Sequence, residues 1–215
     1  MDNKRPVWVL SRLAMASVIA LGCALADPAQ AVLVSPVSVS LIAPGGIVGV
    51  PGDIDMTDTV STASGITVGD ASQIGSTYML PGESILFSGN SILLHVAAGA
   101  QLGNGDLVTG YQGFGGQHAR YAFDGLAVVG QTIVGANILP LAGVLGGTGG
   151  GLAGPGKVSF NLDELTFIDP GTGTSNAFGD FRIDLVLLPV PEPAGWAMSL
   201  AGLAALRLFL RRGAA

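Results

Sequence analysis

The chain has 215 residues and a formal net charge of −6, with 49% hydrophobic and only 11% charged residues. Between positions 32 and 190, twelve acids face three bases, Arg120, Lys157 and Arg182, a balance that cannot neutralise a row of phosphates and argues against nucleic-acid binding. Cys23 is the single cysteine and sits in the N-terminal apolar run, so the rest of the chain has no disulfide, thiolate metal site or cysteine nucleophile.

In chain order, the basic segment MDNKRPVWVLSR comes first and the apolar stretch LAMASVIALGCALA second. ADPAQA follows, with Ala29 and Ala31 at the positions a signal peptidase reads. This layout predicts a secretory signal peptide over 1–31, cleaved between Ala31 and Val32. The alternatives are an N-terminal anchor, for which the run is short, and a lipoprotein signal at Cys23, which lacks a Leu three places ahead.

Residues 32–189 are expected to form an exported β-rich domain. VSVSLI places Val37, Val39 and Leu41 on one face of a strand, and SILF, SILLHVA, RYAF and QTIV are further short candidates bounded by Gly, Pro, Asn or Asp. KVSFNL places Val158, Phe160 and Leu162 on one face, while Leu165 and Phe167 lie one residue out of step. That slip predicts a β-bulge at Asp163-Glu164. Phe181, Ile183, Leu185 and Leu187 alternate along the last strand, FRIDLVL. LGGTGGGLAGPG, 145–156, reads as a long loop. No long amphipathic helix is visible between the termini. The fold class expected is all-β: an antiparallel β-sandwich (jelly-roll-like) or a barrel.

Few motifs in this body carry chemistry. Asp53, Asp55 and Asp58 in PGDIDMTDT group three carboxylates on an expected loop, and hard oxygen ligands of that kind suit Ca²⁺. The EF-hand spacing, central Gly and terminal Glu are missing, so an ordinary acidic turn competes with a calcium site and no cofactor is required. Gly151 to Lys157 spells G-x-x-x-x-G-K, but Val158 follows in place of Ser or Thr, and a strand replaces the helix that a phosphate loop needs. His95 falls within a strand and His118 in a turn. Without G-x-S-x-G or H-E-x-x-H they support neither a Ser hydrolase nor a zinc protease. Asp163 and Glu164 as strand neighbours would point to opposite faces and form no acid pair unless the bulge realigns them. Tyr111, Phe114 and Tyr121 cluster around a Gly-rich turn and are the candidates for a sugar contact. Core packing is the competing use of Tyr121.

The last segment, 190–215, changes character. Pro191-Glu192-Pro193 precedes Trp196, an apolar run over 194–210 interrupted by Arg207, and the Arg211-Arg212 cluster. A helix of that length covers about 25 Å against about 30 Å of hydrocarbon. Trp196 suits one interface, while Arg207, Arg211 and Arg212 suit the cytoplasmic one. This tripartite array resembles the PEP-CTERM sorting signal. The resemblance implies a substrate of an exosortase-type processing enzyme, held in the inner membrane as a precursor and then passed to the cell surface or extracellular space. It further implies an association with exopolysaccharide and biofilm material. The expected role is therefore a non-catalytic structural component of the extracellular matrix, with extracellular polysaccharide as its partner. A secreted carbohydrate-binding or adhesive β-sandwich module is the alternative, and a secreted hydrolase the third possibility.

Overall fold

The structure, a computed structural model, describes residues 32–147, 149–190 and 200–204. Thirteen strands follow one another: β1 (Val37–Ala43), β2 (Ile54–Val60), β3 (Ile66–Thr67), β4 (Ser84–Ser88), β5 (Ser91–Gln101), β6 (Leu107–Thr109), β7 (Arg120–Asp124), β8 (Gln131–Ala142), β9 (Val144–Gly146), β10 (Gly150–Gly154), β11 (Lys157–Asn161), β12 (Thr166–Phe167) and β13 (Phe178–Pro189). One turn of π-helix, Ile74–Tyr78, interrupts them.

The strands form two sheets. The first has the order β10-β11-β7-β1-β2. The second runs β3-β4-β5-β6-β12-β9, with β13 pairing both β5 and β8. Every strand pair is antiparallel. Both sheets are open: the first ends at β10 and β2, and the second, which branches at β5, ends at β3, β9 and β8. Of the two expected architectures, a closed barrel is not formed, and the all-β, antiparallel arrangement is sandwich-like.

Period-two patterning explains how the sheets meet. In β1 the side chains at 37, 39, 41 and 43 are buried and those between them half-exposed, because successive residues of a strand face opposite sides. The same alternation buries Val158 and Phe160 of β11 and Phe181, Ile183 and Leu185 of β13. The Phe160 and Phe181 rings, one from each sheet, lie 4.8 Å apart at 64°. Phe87 of β4 meets Phe123 of β7 edge-on at 6.4 Å. These edge-to-face contacts span the core between the sheets.

Three sequence expectations are corrected. The glycine-rich stretch 145–156 holds the end of strand β9 and all of β10 rather than one long loop. Asp163-Glu164 is a tight turn rather than a bulge: Leu165 N–H donates to Leu162 O at 3.1 Å, and the chain passes there from β11 in the first sheet to β12 in the second. Leu162 and Leu165 are out of step along the chain yet both fully buried, because each belongs to a different sheet-facing segment. Asp55 and Asp58 lie on strand β2 rather than on a loop.

Residues 200–204, within the apolar run 194–210, are helical, and Leu200 and Leu203 are exposed. Among the described residues no helix is long and apolar enough to cross a membrane. Ala29, Ala31, Pro191, Glu192, Pro193, Trp196, Arg207, Arg211 and Arg212 lie outside the described residues.

Candidate functional site

A polar constellation forms at the surface where the loop before β7 meets the turn after β11. Phe114 and Gln117 exchange both backbone hydrogen bonds, at 3.0 Å each, closing a two-residue turn on Gly115 (φ 61°) and Gly116 (φ 80°). Positive φ at both central residues is what a type I′ hairpin needs and what glycine supplies without strain. Gly113 at the base of this hairpin is required for a different reason. A Cβ there would sit 2.2 Å from Asp163 Oδ2 and 2.5 Å from Gln117 O, so only glycine lets the carboxylate come so close.

Leu162 N–H donates to Ala119 O at 2.7 Å and ties the two segments together. His118 Nδ1 is 3.1 Å from Asp163 Oδ1, and its Nε2 is 3.4 Å from Glu164 Oε1. Either neutral tautomer can donate to one of these carboxylates, and the imidazolium to both. Asn161 Nδ2 reaches Glu164 Oε2 at 3.4 Å, and Arg120 donates to the His118 carbonyl at 3.2 Å. Gly113, the 114–117 hairpin, His118 and Asp163 line an open cleft of about 510 Å³. Phe114 stands at its lip, 74% exposed. The strand expectation put Asp163 and Glu164 on opposite faces. The turn instead brings both to one imidazole.

The aromatic cluster expected for sugar contact is divided. Tyr111 and Tyr121 are 2% and 1% exposed, and only Phe114 of the three reaches solvent. The two tyrosine hydroxyls are 3.3 Å apart and buried with Glu83, to which Tyr111 donates. Glu83 also accepts the N–H groups of Leu80 and Ala97, each at 2.9 Å. Its carboxyl is pushed up to about 7 by burial, against the opposing pull of the Tyr111, Ala97 and Leu80 hydrogen bonds. Burial likewise raises both phenols, and the neighbouring Glu83 charge adds to it. This network is a fully satisfied polar knot in the core.

Asp53, Asp55 and Asp58 do not converge. Asp55 lies among the outward residues of β2, whereas Asp58 turns the other way and accepts the Ile74 N–H at 2.8 Å. A polar cleft of about 410 Å³ opens beside Asp58, lined also by Ser61, Thr67, Asp70 and Ser72. Asp70 is occupied there. Burial opposes its ionisation, but bonds from Ser72 Oγ and from the Thr67 and Ser72 N–H groups outweigh it and hold the carboxyl below its usual range. Its oxygens thus order the loop that enters the π turn. Among the described residues no group of three or more His, Asp or Glu side chains is arranged to hold a metal ion.

His95 lies in β5 as expected. Its ring stacks on Phe178 at 4.4 Å, and Nδ1 meets Asp180 Oδ1 at 2.5 Å. Among the described residues neither histidine hydrogen-bonds a hydroxyl. Lys157 of the G-x-x-x-x-G-K segment is paired with Asp124 at 2.5 Å, in a β10–β11 hairpin with no following helix. The convergence of His118, Asp163 and Glu164 is the feature that the sequence conceals, because 45 residues separate His118 from Asp163. No protein-family model, curated protein or solved structure matches this chain.

Proposed function

We propose that the chain is an exported protein, held in the inner membrane as a precursor, processed at Pro191-Glu192-Pro193 and delivered to the cell surface or the extracellular matrix. Its mature part would serve there as a non-catalytic structural component of exopolysaccharide or biofilm material. The observation that carries this reading is the array Pro191-Glu192-Pro193, apolar run, Arg211-Arg212, placed two residues after β13 ends at Pro189. Two prolines after the last strand disfavour helix and favour the kind of extended backbone that a protease-like groove can read.

Replacing Pro191-Glu192-Pro193 by three alanines should leave the protein unprocessed in the inner membrane of a host that carries the processing enzyme. The substitution removes the rigid backbone and the charge together. Fractionation and immunoblotting check this; a triple-alanine protein processed and displayed like wild type would sink the assignment.

A second reading, a carbohydrate-binding or adhesive module on the same route, is favoured by one observation. Phe114 is exposed at the lip of a cleft that carries His118 and Asp163, with Glu164 beside them. Sugar recognition pairs an apolar face against the ring with polar groups for its hydroxyls. Phe114→Ala should then lower retention on isolated exopolysaccharide several-fold while leaving stability within about 0.5 kcal/mol. Unchanged retention in a co-sedimentation assay would leave only the scaffold reading.

A further inference from the structure

The two ends of the domain leave from one uncharged pole. Leu33 N–H donates to Gly89 O at 3.0 Å, Val34 N–H to Ala127 O at 2.8 Å, and Val190 N–H to Gly130 O at 2.9 Å. Thr62 N–H reaches Ser35 Oγ at 3.2 Å. Entry strand, exit strand and three loops therefore meet at this end of the sandwich. The five segments concerned are VLVSP (32–36), STASG (61–65), FSGNS (87–91), GLAVVGQ (125–131) and LVLLPV (185–190). They contain no charged residue, although the domain as a whole is strongly acidic.

Aliphatic side chains project from this pole. Val129 is 83% exposed, Val32 58%, Leu188 55%, Val190 47% and Val34 41%. An apolar patch assembled from both chain ends and a turn tip is a feature that soluble surfaces seldom keep without a use. The first charges inward from it are neutralised or occupied: Asp124 by Lys157 at 2.5 Å, Asp184 by Arg182 at 3.0 Å, and Asp58 by the Ile74 N–H. Asp53 and Asp55, which form no ion pair among the described residues, lie at the other end of the first sheet. There Ile54 pairs with Ala43 and Gly45 N–H donates to Gln112 O, beside the Phe114 cleft.

We propose that this pole is a membrane-docking face, which in the precursor rests on the outer surface of the inner-membrane bilayer. The inference depends on the tail acting as an anchor, as proposed above. Only residues 191–193 separate Val190 from the apolar run, and three extended residues span at most about 10 Å. So short a tether from the anchored tail keeps this pole close to the lipid. Valine and leucine side chains without charged neighbours bury favourably at the headgroup–acyl boundary. The acidic opposite end is repelled by anionic headgroups, which favours the same orientation. The cleft at Phe114 then faces away from the membrane.

The test uses the full-length chain with Cys23→Ser and one added cysteine, Val129→Cys at the pole or Gln117→Cys in the opposite hairpin. Each is labelled with a fluorophore and reconstituted into phosphatidylethanolamine–phosphatidylglycerol vesicles carrying a lipid-bound quencher at headgroup depth. The label at 129 should be quenched several-fold more than that at 117, and be several-fold less accessible to aqueous iodide. Equal quenching at both positions in protein that floats with the vesicles overturns the docking face and leaves the anchor standing. Failure to float overturns both. Self-quenching at 129 that rises with protein density and ignores the lipid quencher assigns the face to a second copy, and also overturns the proposal.

Discussion

Truncating Phe160 to alanine should remove about 3–5 kcal/mol of the domain's stability, the range for deleting a buried aromatic side chain together with the cavity that it leaves. Phe160 is fully buried in β11, with Tyr121 beside it on β7, and its ring meets Phe181 of the other sheet at 4.8 Å. The loss is therefore of contact across the core as well as within a sheet, and β11 cannot follow the void without breaking its ladders to β7 and β10. Since single domains hold only about 5–15 kcal/mol in total, this one change should consume much of the reserve. In residues 32–190 expressed alone, the melting temperature should fall on the order of 10 °C. Phe114→Ala, the same chemical change at an exposed ring, serves as the control. If the two variants melt together, Phe160 does not join the sheets.

Part of this was visible in the chain itself. β1, β11 and β13 announce themselves because one face of each is buried against the opposite sheet, and apolar residues recur at every second position. β2 gives no such signal: as an edge strand it buries only Ile54 and Val60 and carries Asp55, Thr57 and Thr59 outward, so its composition imitates a loop. β10 is hidden differently, since GGLAG offers one leucine and one alanine and no alternation to read. The slip at Asp163-Glu164 has two physical causes that look the same in a linear chain, a bulge within one strand or a crossing between sheets. Only the pairing of β11 with β7 and of β12 with β6 and β9 separates them.

The candidate site was legible to a similar degree. The clustering of Tyr111, Phe114 and Tyr121 marks a real feature, the entry into β7. Exposure then divides it, with Phe114 on the surface and both tyrosines turned inward to Glu83. Nothing in the local pattern around LPGESILF shows that Glu83 is buried. Its partners come from Leu80, three residues away, but also from Ala97 and Tyr111, and long-range partners of this kind are invisible to periodicity. The motifs expected to act as targeting signals at the two ends are read by composition and order alone, and so their expectation rests on the sequence without the fold.

Glu83 should make the domain lose stability as the pH rises from acid to neutral. Its carboxyl is raised in the folded state from an ordinary 4.5 to about 7. Below pH 4.5 the folded and unfolded chains both hold this proton, and the contribution of Glu83 is complete. Between 4.5 and about 7 the unfolded chain releases the proton while the folded chain keeps it, and stability falls by about 1.4 kcal/mol per pH unit. Above that window both forms are ionised, and the accumulated loss levels off at ~3 kcal/mol. Asp70 and Asp124, whose carboxyls are held below their usual range, act in the opposite sense, and only as the pH falls toward their acid range. A comparison with Glu83→Gln therefore isolates the neutral-side slope. Gln cannot accept from both the Leu80 and Ala97 N–H groups, so the variant should be less stable at pH 4 by about 1–3 kcal/mol. Its stability should not share the fall on the way to neutrality, so the two curves should converge or cross near pH 7. Urea unfolding of residues 32–190 across this range measures both curves. Parallel curves would mean that the Glu83 carboxylate is as well accommodated in the core as in water, and that the knot with Tyr111 and Tyr121 holds a charge rather than a proton.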